Sequence, residues 1–487
     1  MDRLDNHSLG HLREGVESPA YERSAVTAGI VHLGIGAFHR AHMAAYVDKC
    51  LAEAPQWGIV GASFRSPDTR NALEPQDYLY CLLTRETKGN SARVIGSVID
   101  IIDASQSSRD LIAKMANPAV RIISLTVTEK GYCYDPVGGG LDRQHPAIVR
   151  DLAADGSPHS VPGVIVAALA SRRAEGLGGF TVLSCDNLPS NGRVTRRVVM
   201  DFAALVDPAL AEWIGANVSF PSTMVDRIVP STSDRDRDDV AAMIGARDAW
   251  PVVAEAFSQW VVEDDFVAGR PDWEHFGVQM VSDVEPFEHM KLRMLNGSHS
   301  TLAYLGLPCG FTLVSEAASD PDLRVLIERM FAEEIAPTLS VPDIDLGAYG
   351  QALIVRYTNW ALEHRLAQIA MDGTQKLPQR LIATLLERAE TGQSFHFLAL
   401  AVAGWIAFIV NATQKGATID DPLSDRLQAA SRNGDDPDQT LENFLEIGEV
   451  FPLAFARNQT VRSTTRDHLD ALLRLGAPAA IKRALSR

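Results

Sequence analysis

The stretch Val31-His32-Leu33-Gly34-Ile35-Gly36-Ala37-Phe38-His39-Arg40 sets the reading of this chain. An apolar run over 29–35 enters two glycines spaced by one residue, and a helical pattern follows from His39 to Glu53. At a strand-to-helix junction the first glycine permits the tight turn. The second lets backbone approach a pyrophosphate, and the amides of the helix start hold the anion. Gly34, Gly36, Phe38, His39 and Arg40 are therefore candidate cofactor-binding residues. His39 stands where the third glycine of G-x-G-x-x-G would fall, so an ordinary strand-to-helix turn is the competing reading.

Outward from this turn, Trp57–Phe64 reads as a second strand ending in Arg65-Ser66-Pro67-Asp68. In a dinucleotide-binding unit that strand normally ends in an acid that bonds the adenosine ribose, whereas an arginine there faces a 2′-phosphate. Asp68 points to NAD(H) and Arg65 to NADP(H). NAD(H) is favoured, with NADP(H) left open. Further strand-like runs lie at Arg93–Ile102, Ala119–Val127 and Phe180–Ser184, with a helical run at Gly163–Glu175. Short apolar strands alternating with helices predict an α/β fold with a parallel sheet. From about Pro286 strands become scarce and long helical patterns dominate. The expected organisation is an N-terminal arm over 1–28, read as mobile, a Rossmann-type domain over 29–285, and a mostly α-helical domain over 286–487.

Composition narrows the function classes. A formal charge of −17, from 62 acidic and 45 basic residues, argues against nucleic acid, whose phosphates require clustered Lys and Arg. The five cysteines are widely spaced with no C-x-x-C pair, which predicts a reducing compartment and no structural zinc. No apolar leader or uninterrupted apolar span appears, so a cytoplasmic protein without a membrane segment is expected.

The segment Glu288-His289-Met290-Lys291-Leu292-Arg293-Met294-Leu295-Asn296-Gly297-Ser298-His299 carries the densest chemistry. On an α-helical wheel Glu288, His299 and Asn296 fall about 60°, 80° and 140° from Lys291, in one arc. No charged residue occurs between Arg293 and Glu316, which predicts a largely buried helix. For His299 or Asn296 alone, an internal hydrogen-bond network is the competing reading. Lysines are seldom buried without a task. Desolvation lowers a lysine's pKa at about 1.4 kcal/mol per unit, and a fall of two to three units makes a base usable near neutral pH. A pendant lysine reaching solvent is the alternative.

The run Lys291–His299 resembles the signature of the polyol-specific long-chain dehydrogenases, the mannitol dehydrogenase family. The likeness extends through Gly34–His42, Ser124–Tyr134, Ser184-Cys185-Asp186-Asn187, Phe220–Pro230 and Gln368–Lys376. The resemblance implies a Rossmann-type domain, a helical second domain, and catalytic residues from both. In it Lys291 matches a general base, and Asn187 and Asn296 match amides that polarise the substrate oxygen. His299 matches a residue that orients substrate hydroxyls, and Glu288 an acid on the proton route. Asp226 and Lys376 match further substrate contacts. No metal is required.

Gln368 stands where the mannitol-oxidising branch usually has arginine, and Gln368–Arg380 looks more like the fructuronate reductase branch. The favoured expectation is interconversion of D-fructuronate and D-mannonate, with Lys376, Arg380 or Arg40 pairing with the carboxylate. Mannitol 2-dehydrogenase chemistry, a sugar-phosphate dehydrogenase and a catalytically silent cofactor sensor are the alternatives. A monomer acting on a small sugar acid or polyol is expected.

Overall fold

The computed structural model describes residues 1–136, 138–153, 157–432, 434 and 436–486, and the chain divides into two compact units, Met1–Glu285 and Pro286–Arg487. The first unit is built on a parallel sheet of β1 (Ala28–Leu33), β2 (Gly58–Ser63), β3 (Val98–Asp103), β4 (Ile122–Leu125) and β5 (Thr181–Ser184). Its strand order is β3-β2-β1-β4-β5. β1 pairs in parallel register with β2 on one side and with β4 on the other, for example His32 with Gly61 and with Ser124. Residues 29–33 of β1 are all buried, as expected of a central strand covered on both faces. The order reverses between β1 and β4, so the carboxyl ends of these strands open the crevice in which such sheets bind ligands.

Three expectations are corrected here. The run Arg93–Ile102 is not one strand: Gly89–Ile95 pairs antiparallel with Tyr80–Glu86, and only Val98–Asp103 joins the parallel sheet. The apolar pattern continues through the bend at Gly96-Ser97, so periodicity alone does not divide it. The N-terminal arm is also part of the fold. Leu4 is fully buried, and backbone bonds join Leu4 and Asp2 to Arg247. The helix following the glycine turn is interrupted too: it runs Ala37–Ala41, breaks at His42 and resumes as Met43–Cys50.

The second unit is helical and has one extensive apolar core. At its centre lies helix His396–Gln414, with mean hydropathy 1.7, long and apolar enough to cross a membrane but 78% buried within the protein. Its start lacks a side-chain cap of its own. The carboxylate of Glu334 instead accepts from the amides of Phe397 at 3.0 Å and Leu398 at 2.8 Å, satisfying the orphan donors of the first turn. Burial holds the Glu334 carboxyl above its ordinary value.

Candidate active site

In the first unit the candidate site begins at the end of β1. Gly34 has φ +91°, and a Cβ there would lie 2.1 Å from the carbonyl oxygen of Thr126, so the turn admits only glycine. Gly36 differs. It is exposed and extended, and a Cβ would meet nothing nearer than Gly34 O at 3.9 Å. The backbone at Gly36 thus faces open space, as close approach of a pyrophosphate requires. A buried network holds the turn. His32 Nε2 donates to Thr126 Oγ1 at 2.8 Å, Thr126 Oγ1 donates to Gly34 O at 2.7 Å, and Ser124 Oγ lies 2.8 Å from His32 Nδ1. Burial lowers the His32 pKa to about 3, which keeps the imidazole neutral and leaves Nδ1 to accept from the Ser124 hydroxyl.

Two of the residues expected to line the cofactor turn inward instead. His39 is fully buried and stacks on His32, with ring centroids 3.3 Å apart. The Arg40 guanidinium is buried, donates to Trp250 O at 2.5 Å and sits over the Tyr80 ring. Phe38 is half-buried against His42, at 5.0 Å between ring centroids. His39 and Arg40 therefore pack the unit rather than face a ligand. Arg65 and Asp68 remain exposed just past β2, where Asp68 accepts from Ser66 Oγ at 2.8 Å.

Past β4 and β5 the chain is tied by a residue that motif reading passed over. Asp186 accepts from the amides of Val127 at 2.9 Å and Thr128 at 3.0 Å and from Tyr132 Oη at 2.7 Å. Burial holds its carboxyl above the ordinary value. Thr128 is pinned at φ +65°, a strained conformation for a β-branched residue. Asn187, immediately after this clamp, is exposed. Asp226 is buried at the end of strand Thr223–Asp226, whose Thr223 is held by Asn191 through its amide and carbonyl groups.

In the second unit the decisive local feature is a change of helical pitch. Glu285–Met290 is α-helical, Lys291–Asn296 is π-helical, and Gly297–Gly306 is α-helical again. The Gly297 amide donates to Leu292 O, five residues back. In a π turn residues five apart share a face, whereas in an α turn residues three apart do. Glu288 to Lys291, Lys291 to Asn296 and Asn296 to His299 are steps of three, five and three. The mixed pitch thus draws these four residues into one column, tighter than the α-helical wheel predicts.

Lys291 is 9% exposed, Asn296 8% and His299 6%, so the lysine does not hang in solvent. His299 packs against Tyr357 and His364, with ring centroids at 4.7 and 5.1 Å, and its Nε2 has no hydrogen-bond partner. Burial, then the charges of His364, Arg356 and Arg380, hold the His299 pKa well below its ordinary value.

A second π-helical segment, Pro378–Ile382, packs beside the first, and a Cβ at Gly297 would lie 2.9 Å from Arg380 O. Arg380 Nη1 donates to Ser300 Oγ at 3.1 Å. Lys376 Nζ donates to Met371 O at 2.5 Å and Ile369 O at 3.4 Å and pairs with Asp372 at 3.9 Å. Gln368 is exposed. His364, Tyr357 and Arg356 were missed by sequence reading, because lone residues about 60 positions away carry no local signal. Among the described residues no cluster of three or more His, Cys, Asp or Glu is arranged to hold a metal ion.

A parallel sheet in this order, with a glycine turn open at its reversal point, makes the first unit a Rossmann-type domain. Comparison with known proteins narrows this. Residues 28–275 match the mannitol dehydrogenase Rossmann domain and residues 283–473 the mannitol dehydrogenase C-terminal domain. The D-mannonate oxidoreductase of Escherichia coli is 44% identical over 416 residues, covering 84% of this chain and 86% of that protein. The mannitol 2-dehydrogenase of Phaeosphaeria nodorum is 39% identical, covering 98% and 85%. The solved structure of Pseudomonas fluorescens mannitol 2-dehydrogenase, in ternary complex with NAD and D-mannitol, superposes with a TM-score of 0.88 at 39% identity, over 100% of each chain. The chain belongs to the mannitol dehydrogenase family.

Proposed function

We propose that this chain interconverts D-fructuronate and D-mannonate by hydride transfer, using NAD(H) and Lys291 as general acid and base. The observation that carries the reading is the column of half-buried Glu288 and buried Lys291, Asn296 and His299, drawn together by the π turn. Oxidation of a secondary alcohol requires a group that takes the hydroxyl proton and donors for the developing alkoxide. The Lys291 amine takes that proton, and in reverse its ammonium returns it. The amides of Asn187 and Asn296 donate to the substrate oxygen, and His299 orients a neighbouring hydroxyl. Glu288, one turn before Lys291, exchanges the proton onward. Asp226, Lys376, Gln368 and Arg380 are the proposed substrate contacts.

The open backbone at Gly36 and the left-handed turn at Gly34 suit a dinucleotide, and Asp68 and Arg65, both exposed, are the proposed contacts to its adenosine end. When bound, the nicotinamide supplies the hydride acceptor or donor. The Pseudomonas complex supports NAD, and parallel assays with NADPH address the role of Arg65.

The mannonate relative and the sequence Asp372–Arg380 support the acid substrate, while the mannitol complex supports D-mannitol and D-fructose as the second reading. Initial rates on D-fructuronate and D-fructose decide between them, and preference for fructose overturns the first. A Lys291→Ala variant is expected to retain NADH binding and lose at least about 10²-fold in kcat, the range for removal of a general base. Unchanged turnover removes Lys291 from the mechanism, and an inactive wild type with intact NADH binding supports a sensor.

A further inference from the structure

Asn187, the proposed donor to the substrate oxygen, sits in a short loop whose two ends are joined to each other. Asn191 Nδ2 donates to Asp186 O at 3.1 Å and so closes residues 187–190 at their base. Inside the loop Pro189 fixes its own φ, and Ser190 is held at φ +49°. A closed loop of this length leaves the backbone of Asn187 little freedom.

Each end of the loop is anchored a second time. On the Asp186 side, Tyr132 Oη donates to the carboxylate at 2.7 Å and accepts from Ser184 Oγ at 2.6 Å. On the other side, Asn191 pairs with Thr223 as one strand pairs with another. Its Oδ1 accepts from the Thr223 amide at 2.9 Å, and its Nδ2 donates to Thr223 O at 2.9 Å. Thr223 Oγ1 returns to Ser184 O at 2.6 Å. Tyr132, Ser184, Asn191 and Thr223 are all buried, whereas Asn187 between them is exposed.

Apolar packing could join these segments at lower cost than a buried polar network, in which every group must be satisfied. The same network holds Thr128 at φ +65° through Asp186. Strain of that kind persists only where the surroundings impose it, and it collects at functional sites. An amide that donates to a developing alkoxide must be fixed before the reaction, because its value lies in costing no reorganisation.

We infer that Tyr132 and Asn191 are positioning residues that act through Asn187, holding its carboxamide where the substrate oxygen is polarised. This assignment rests on the role given to Asn187 under Proposed function. Neither residue touches the substrate; each fixes one end of the loop that carries Asn187.

The test uses the full chain with saturating NADH and whichever of D-fructuronate and D-fructose the wild type reduces faster. The variants are Asn187→Ala, Tyr132→Phe, Asn191→Ala, and each of the last two combined with Asn187→Ala. Removing the amide itself is expected to lower kcat by about 10²- to 10³-fold. A displacement on the order of 1 Å costs up to about 10²-fold, so Asn191→Ala is expected to lose about that much and Tyr132→Phe about 10-fold. Both losses fall in kcat rather than KM. Added to Asn187→Ala, neither substitution is expected to cost more, since an absent amide cannot be misplaced. A merely structural role would instead lower the melting temperature, leave kcat of the folded enzyme unchanged and show no dependence on Asn187. Wild-type kcat in the folded single variants, or losses that persist in full in the double variants, overturn this inference alone. Full turnover by Asn187→Ala, or a wild type inactive on both substrates, overturns the underlying reading and this inference with it. Where Asn191→Ala fails to fold, the Tyr132→Phe pair decides.

Discussion

Substituting the two glycines of the first turn separates stability from cofactor binding. At Gly34 an alanine must adopt φ +91° and place its methyl 2.1 Å from a backbone oxygen. The left-handed conformation costs about 1–2 kcal/mol, and overpacking against a carbonyl that the His32 network holds in place adds about 1–3 kcal/mol. At about 2–4 °C per kcal/mol, Gly34→Ala should lower the melting temperature by roughly 4–20 °C. At Gly36 the backbone is extended and the Cβ direction empty, so Gly36→Val should leave the melting temperature within about 2 °C of wild type. That side chain nevertheless fills the space a pyrophosphate needs, and losing one charge-assisted phosphate bond costs about 1.5–3 kcal/mol, or roughly 10- to 10²-fold in affinity. Thermal melts and NADH fluorescence titrations read the two effects separately. Wild-type NADH affinity in a stable Gly36→Val protein would refute this turn as the phosphate cradle.

Asp186→Asn removes one of the two carboxylate oxygens, which accept separately from the amides of Val127 and Thr128. It should cost about 1–3 kcal/mol in urea unfolding and weaken NADH binding, while an unchanged unfolding midpoint would show that the clamp is dispensable. Stability should also fall as pH drops below about 6.5. His32, His39, His299 and His364 all have folded values below their ordinary one, so the unfolded chain binds more protons there; His32, His39 and His299 each contribute about 2 kcal/mol of loss by pH 5, and His364 acts in the same direction. Asp186, Asp248 and Glu334, raised by burial, act in the opposite direction toward the carboxylate range, so the comparison is made between pH 5 and 7.5. Equal urea stabilities across that window would contradict neutral, buried imidazoles.

Local chemistry made much of this protein legible from its residues. Two glycines spaced by one residue after an apolar strand constrain backbone shape directly, and Gly34 and Gly36 take up the conformations that spacing demands. The absence of any charged residue between Arg293 and Glu316 predicted a buried helix around Asn296 and His299. Long-range facts were another matter. The inward turn of His39 and Arg40 depends on the helix breaking at His42 and on Trp250 and Tyr80, residues remote in the chain. The π turn at Lys291–Asn296 leaves no residue signature, since a change from α to π bonding alters which side chains share a face without altering their identity. The partners of His299 come from the distant Tyr357 and His364, and only the folded chain brings those groups within reach. The sequence by itself determined which chemical groups were available and which local turns could form. The tertiary structure decided which of them share a buried space, because that depends on packing between segments far apart along the chain.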